Sequence, residues 1–410
     1  MELPGFQWLD KRRFRRQAEQ IGPLELLILQ GTPFCNLDCD YCYLPDRNDS
    51  SQMDMSVLAA VIDRVLEAGI VDKQFTAVWH AGEPMVLGID FYEQAFALIA
   101  DRLPDNINVN HSFQTNAVLI NRQWCDFFKR HNICLGISVD GPGLVHDAQR
   151  KTRNGNGTHH RVEEAVDLLR QQAVEFHVIA VLTAQSIQQP DVMFSYFNQL
   201  GANQLCFNTE EIEGVHHQSE ILATDYSQDY IHFFKRFHEL RIENASDMKL
   251  REVDGAISSI LSWRKGGDPS SFQTQETTPF KILNVAVNGD FSTWSPELLG
   301  GDSEEYGSFI FGNVMELSID DCIKSPDYKL VNKAIADGVT NCKESCNYYE
   351  LCGGGSPSNK LAELGRLDVA ETAFCRLHKM ACLDAALSIL EDALGIESKD
   401  PHLPVIENKN

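Results

Sequence analysis

What this 410-residue chain lacks narrows the field first. No apolar run approaches the roughly 18 residues that a membrane-crossing helix needs. Residues 1–23 carry Lys11, Arg12, Arg13, Arg15 and Arg16 where a secretory signal would place an apolar stretch. A cytoplasmic location without a membrane partner is therefore expected. Positive charge is also scarce: 35 Lys and Arg stand against 59 Asp and Glu, for a formal net charge of −24. Such a surface repels phosphate backbones, so no nucleic-acid partner is expected. The basic run at 11–16 reads as a solvated helix face. No internal repeat is visible. Cysteine is not scarce, with 12 in the chain. Cytosolic thiols stay reduced, which disfavours a disulfide framework and favours metal ligation or redox chemistry.

The first half alternates between two patterns. Apolar, β-rich runs fall at 24–30, 75–80, 107–115, 134–140, 174–182 and 204–208. Between them lie stretches of helical periodicity such as Ser56–Ala68 and Arg161–Gln171. Strand–helix alternation predicts a parallel sheet with helices outside, and six units in about 200 residues suit an open, partial barrel better than a closed eight-unit one. From about residue 215 the pattern changes to helices at 225–242 and 252–264, then a polar loop at 266–278. Asn288-Gly289 between short apolar runs predicts a hairpin. A cysteine-rich stretch follows, then a last helix from Cys375 to Leu394. The expected organisation is an N-terminal segment 1–23, an α/β core 24–214, a helical bridge and loop 215–280, a cysteine-bearing domain 281–396, and a disordered tail 397–410.

Gly31 to Tyr43 reads GTPFCNLDCDYCY, directly after the first predicted strand, where open α/β sheets place ligands. Cys35, Cys39 and Cys42 can wrap one corner of a [4Fe–4S] cluster. Four thiolates normally hold such a cluster, so three leave one iron open, and that iron can chelate the amino and carboxylate groups of S-adenosylmethionine. Structural zinc instead favours four closed ligands in paired motifs, and the closest histidine is His80. The C-x3-C-x-aromatic-C triad, with Tyr41 as the aromatic residue, resembles the hallmark of the radical S-adenosylmethionine (SAM) superfamily. Further motifs follow the predicted strands in order: Ala81-Gly82-Glu83-Pro84, Gln114-Thr115-Asn116, Ser138-Val139-Asp140-Gly141-Pro142, and Arg150. The resemblance implies a partial (β/α)6 barrel over roughly 24–210. It also implies cofactor contacts from Tyr41, Gly82, Glu83, Gln114, Asn116, Ser138, Asp140 and Arg150.

Cys342, Cys346, Cys352 and Cys375 form a second group. Its spacing resembles the SPASM extension of peptide-modifying radical SAM enzymes, which carries two auxiliary [4Fe–4S] clusters when complete. Here Trp294 and Ser356 stand where further ligands would be expected. One auxiliary cluster on these four cysteines is therefore expected, a structural zinc knuckle being the alternative. Cys382 is read as a buried small hydrophobe. Cys125, Cys134, Cys206 and Cys322 are read as structural core residues.

The resemblance implies one-electron cleavage of SAM to a 5′-deoxyadenosyl radical, which takes hydrogen from an unactivated carbon in a dry site. An external donor such as flavodoxin or ferredoxin would supply the electron. Glu297 stands two residues beyond Ser295, which occupies the place of a catalytic aspartate in sulfatase-maturing relatives, so Glu297 is the expected base. The strings at 29–44, 291–300 and 352–360 resemble the cyclophane-forming (triceptide) peptide maturases of the GrrM/OscB-like group. These join an aromatic ring carbon to a side-chain β-carbon in a ribosomal precursor peptide. No leader-binding domain is expected ahead of the first strand. The competing expectations are an anaerobic sulfatase maturase, a thioether- or other carbon–carbon-forming maturase, and a non-catalytic iron–sulfur or zinc scaffold.

Overall fold

A computed structural model describes residues 20–264 and 274–396. The basic run at 11–16, part of the 266–278 loop and the tail at 397–410 lie outside them. The six predicted strands are present: β1 (Leu26–Leu29), β2 (Gln74–Trp79), β3 (Asn108–Thr115), β4 (Cys134–Ser138), β5 (His177–Leu182) and β6 (Gln204–Thr209). They lie side by side, parallel, in sequence order. Parallel pairing demands crossovers, and these are helical. They are α1 (Met55–Ala68), α2 (Ile89–Arg102), α3 (Arg122–Arg130), α4 (Gly143–Gln149), α5 (His159–Gln171) and α6 (Pro190–Leu200), with α7 (Ser227–Glu243) after β6.

Local sequence sets these boundaries. Asp54 caps α1 by accepting from Ser56 N, and Gly69 ends it in the left-handed conformation. Val57, Leu58, Val61, Ile62 and Val65 form its buried stripe. Side chains alternate along the strands. Phe75, Ala77 and Trp79 of β2 are buried, while Thr76 and Val78 on the other face are only partly covered. The same alternation in β5 turns Ile179 and Val181 toward a cavity.

The sheet extends at both edges. β7 (Lys249–Leu250) pairs parallel with β6 just before α8 (Arg251–Arg264). On the other side, β8 (Ile282–Val285) pairs parallel with β1, residue for residue from Leu26↔Ile282 to Leu29↔Val285. β9 (Asp290–Thr293) returns antiparallel through the Asn288-Gly289 turn. After the two-stranded ribbon β10 (Asp302–Ser303) and β11 (Gly307–Ser308), β12 (Gly312–Asn313) pairs with β9. The predicted hairpin is thus no separate layer; it continues the main sheet.

The cysteine-rich stretch packs as α9 (Pro326–Ser345), α10 (Pro357–Leu364) and α11 (Cys382–Leu394). A π-helical turn, Cys375–Ala381, leads into α11, so the predicted last helix is present with that irregular first part. One core runs from Ile21 to Ile389 and includes residues of both the sheet and the C-terminal helices. Among the described residues no helix is long and apolar enough to cross a membrane. Cys125, Cys206 and Cys322 are buried as expected, but Cys134, the first residue of β4, is exposed.

Candidate active site

The triad loop leaves the carboxyl end of β1 and is tied down at several points. Cys35 N donates to Arg47 O (3.2 Å), and Asp38 N and Asp40 N donate to Lys151 O and Gln149 O (2.8 and 3.0 Å). Lys151 Nζ closes the same seam on Asp40 (2.6 Å). Gly82 lies against the loop at φ +121°, and a Cβ there would stand 2.2 Å from Thr32 O. Only glycine permits that approach. Next to it Glu83 N donates to Phe34 O at 2.8 Å.

Glu83 is 1% exposed and works as a hub. Oε1 accepts from Met85 N (3.0 Å) and Thr115 Oγ1 (2.7 Å), and Oε2 accepts from Asn116 N (2.8 Å). Burial pushes its pKa up against the pull of those three bonds. Asn116 in turn donates from Nδ2 to Asn36 Oδ1 (2.7 Å), with Cys35 Sγ at 3.8 Å. The ends of β2 and β3 therefore hold the cysteine loop through one carboxylate.

Asp140 is similarly committed. Its Oδ2 accepts from Tyr41 OH (2.5 Å) and Arg150 Nε (2.9 Å), and its Oδ1 accepts from Val181 N (3.0 Å). The Arg150 guanidinium stacks over the Tyr41 ring at 5.4 Å. Burial alone would lower the arginine's pKa, but the charges of Asp140, Tyr41 and Cys39 and the hydrogen bond to Asp140 together outweigh it and raise the net value. Gln114 Nε2 donates to Ser138 Oγ at 2.9 Å. The three cysteines, Tyr41, Gly82, Glu83, Gln114, Asn116, Ser138 and Arg150 line one cavity of about 250 Å³. Asp140 does not line it; Asp140 positions Tyr41 and Arg150 from behind.

Burial pushes the Cys35 thiol up to about 12, with the Glu83 charge adding to the effect, and pushes Cys39 up to about 11. Such thiols stay protonated until a cation displaces the proton, as thiolate ligation does. Among the described residues no three Cys, His, Asp or Glu converge tightly enough for a single metal ion. The fit to a cluster therefore rests on the donor chemistry: three thiols beside a cavity, with no fourth cysteine among its lining residues.

The second cysteine group also gathers. Burial raises the Cys375 thiol to about 12, and the charges of Cys352, Cys346 and Cys342 act on it in the same direction. Cys342 lies on the buried face of α9, Cys346 caps that helix, Cys352 ends the short helix Tyr349–Cys352, and Cys375 opens the π-helical turn. Cys382 is buried but faces Glu252, Lys379 and Arg251 rather than these cysteines. Trp294 is fully buried, stacked on Tyr328 at 5.7 Å and edge-on to Phe311. Ser356 bonds to Ser358 (2.9 Å). Both places thus hold packing or serine hydrogen bonds.

Glu297 sits where the two halves meet. It lines the triad cavity and also a neighbouring one of about 460 Å³ that Cys352 borders. Its carboxylate accepts from Ser295 Oγ, and burial raises its pKa. Ser295 reaches Ser358 Oγ at 3.3 Å. Two carboxyls that sequence reasoning missed join it. Glu211 and Glu213 follow β6, and Asn359 Nδ2 on α10 donates to both, at 2.6 and 3.0 Å. Burial, then the Glu297 charge, pushes Glu211 up to about 8; burial, then the Glu211 charge, raises Glu213 as well. The Tyr43 hydroxyl, also missed, is buried without a hydrogen-bond partner and lines the triad cavity. The acidic string Asn208-Thr209-Glu210-Glu211-Ile212-Glu213, placed after a predicted strand, was the available signal.

Residues 29–196 match the model of the radical SAM superfamily. An uncharacterized protein of Synechocystis sp. is 36% identical over 92% of this chain and 94% of its own length. The cysteine-type anaerobic sulfatase-maturating enzyme of Clostridium perfringens is 26% identical over 81% of this chain and 88% of its own. Among solved structures, anSMEcpe with bound AdoMet superposes with a TM-score of 0.72 at 24% identity, covering 92% of this chain and 96% of that one. Streptococcus suis SuiB bound to the precursor peptide SuiA gives 0.63 at 15% identity over 89% and 79%. At these identities the likeness is one of fold.

Proposed function

The chain belongs to the radical SAM superfamily, and from that premise we propose that it installs a cyclophane crosslink in a ribosomally made precursor peptide. The observation that carries the reading is the shared wall: Glu297 and Glu211 border both the cavity of Cys35, Cys39 and Cys42 and the cavity that Cys352 borders. A peptide held at that wall lies between two iron–sulfur sites. The sulfatase-maturating relative and the peptide-bound SuiB structure support a peptide substrate. The strings at 29–44, 291–300 and 352–360 support the crosslinking group.

When bound, a [4Fe–4S] cluster with S-adenosylmethionine supplies radical hydrogen abstraction, and an auxiliary cluster supplies an electron acceptor. The residues of this chain do the rest. Cys35, Cys39 and Cys42 hold the first cluster. Glu83, Asn116 and Gly82 fix the loop that carries them. Ser138, Gln114 and Arg150 line the cofactor's cavity, with Arg150 suited to a carboxylate through parallel hydrogen bonds. Cys342, Cys346, Cys352 and Cys375 hold the second cluster. Glu297 takes the proton that leaves when the ring regains aromaticity; burial raises its pKa, which makes it the stronger base. A flavodoxin or ferredoxin supplies the electron.

Co-expression with the candidate peptide and mass spectrometry tests the reading. A crosslink removes two hydrogens per bond formed, whereas formylglycine from a cysteine- or serine-bearing sulfatase peptide gives an aldehyde that hydrazides trap. Glu297→Gln should cleave SAM and yield little product; normal product from that variant removes Glu297 as the base.

A further inference from the structure

We propose that Lys360 tunes the C-terminal cluster, donating a hydrogen bond to the Cys342 thiolate and raising the cluster's reduction potential. The inference rests on the reading of the four C-terminal cysteines as ligands. Lys360, on α10, is only 2% exposed. Lysine is almost never fully buried unless it is paired. Its Nζ stands 3.5 Å from Cys342 Sγ. Among the described residues no carboxylate pairs with it, so the cysteine sulfur is its hydrogen-bond partner.

Two glycines border this side chain. Gly338 lies one turn before Cys342 on the same face of α9. A Cβ at 338 would stand 2.3 Å from Leu367 O and 3.1 Å from Lys360 Nζ, so glycine there admits both the 367 backbone and the lysine; a Cβ at Gly355 would make ordinary contact with Lys360 Cε at 3.5 Å. The string Cys352-Gly353-Gly354-Gly355-Ser356-Pro357-Ser358-Asn359-Lys360 thus delivers a ligand at one end and this cation at the other. Lys379 is a second cation nearby; it acts on Cys352 through space.

The physical effect has a definite sign. Protonated sulfur cannot ligate iron, so in the loaded protein Cys342 is a thiolate and balances the buried lysine. Reduction adds one negative charge to the cluster. A cation hydrogen-bonded to a ligand sulfur stabilises the reduced form more than the oxidised one and raises the potential. Lys360 touches no substrate; it is a positioning residue.

The test uses full-length protein in which Cys35→Ala, Cys39→Ala and Cys42→Ala leave only the C-terminal cluster. Iron content, a redox titration and pulsed EPR on nitrogen-15-lysine-labelled protein are measured with and without Lys360→Met. The expected result is equal iron, a reduction equilibrium at least tenfold less favourable in Lys360→Met (59 mV for one electron), and a lysine-nitrogen coupling that the substitution removes. Equal potentials at equal iron overturn the proposal, as does the absence of a lysine coupling in the unsubstituted lysine background. If Lys360→Met does not fold, the same measurements are made on Lys360→Gln, and a lysine-nitrogen coupling that persists there, as it would if it came from Lys379, overturns the proposal. If the triple variant holds no cluster, the ligand reading falls and the proposal falls with it.

Discussion

A methyl group at position 82 would lie 2.2 Å from Thr32 O, so Gly82→Ala must lift the Cys35 loop off the turn after β2. Its expected effect is loss of iron from the triad while the C-terminal cysteines keep theirs, read by iron assay in each single-site background. Glu211 gives a pH prediction of opposite sense to most carboxylates. Its pKa rises from 4.5 to about 8 in the folded chain. The native state then binds more protons than the unfolded state across that window, so stability falls as pH rises from about 5 to about 8. Thermal melts should show this slope, flatter in Glu211→Gln. At this scale the sequence was uneven. The candidate ligand cysteines are legible because one loop carries three of them at fixed spacing. Glu211, Tyr43 and Asn359 are not, because two loops and a helix far apart in sequence bring them together and no spacing rule links such residues.

The elements were legible where a period is strong. All six core strands and α1, α5, α7 and α8 lie where alternation or helical spacing predicts them. The hairpin was found from Asn288-Gly289, but its place was not, since nothing in residues 282–285 names β1 as their partner. Its end carries Trp294, enclosed by Tyr328 and Phe311. Trp294→Ala should cost about 3–5 kcal/mol, as emptying a large aromatic site does, and denaturant titration measures it. Because Trp294 fills the neighbourhood where a second auxiliary cluster would need a ligand, Ser356→Cys should add no iron.

For the whole molecule, the feature that sequence reading could not supply is the wall of Glu211 and Glu297 between two cavities. It depends on α10 meeting the loop after β6, a contact between residues 148 positions apart. Replacing all four C-terminal cysteines with alanine should therefore leave SAM cleavage measurable while product falls by an order of magnitude or more, since in the proposed reaction the two sites serve different steps.

The pairing of β8 with β1 also sets an order of assembly on the ribosome. One edge of β1 finds β2 early, but its other edge waits for residues 282–285. At typical rates of synthesis that wait is on the order of tens of seconds. Throughout it the nascent chain shows an open strand edge, Leu26–Leu29, beside the triad loop. An unpaired apolar edge invites association with other chains. Chains stopped before residue 282, with that edge of β1 never covered, should therefore aggregate.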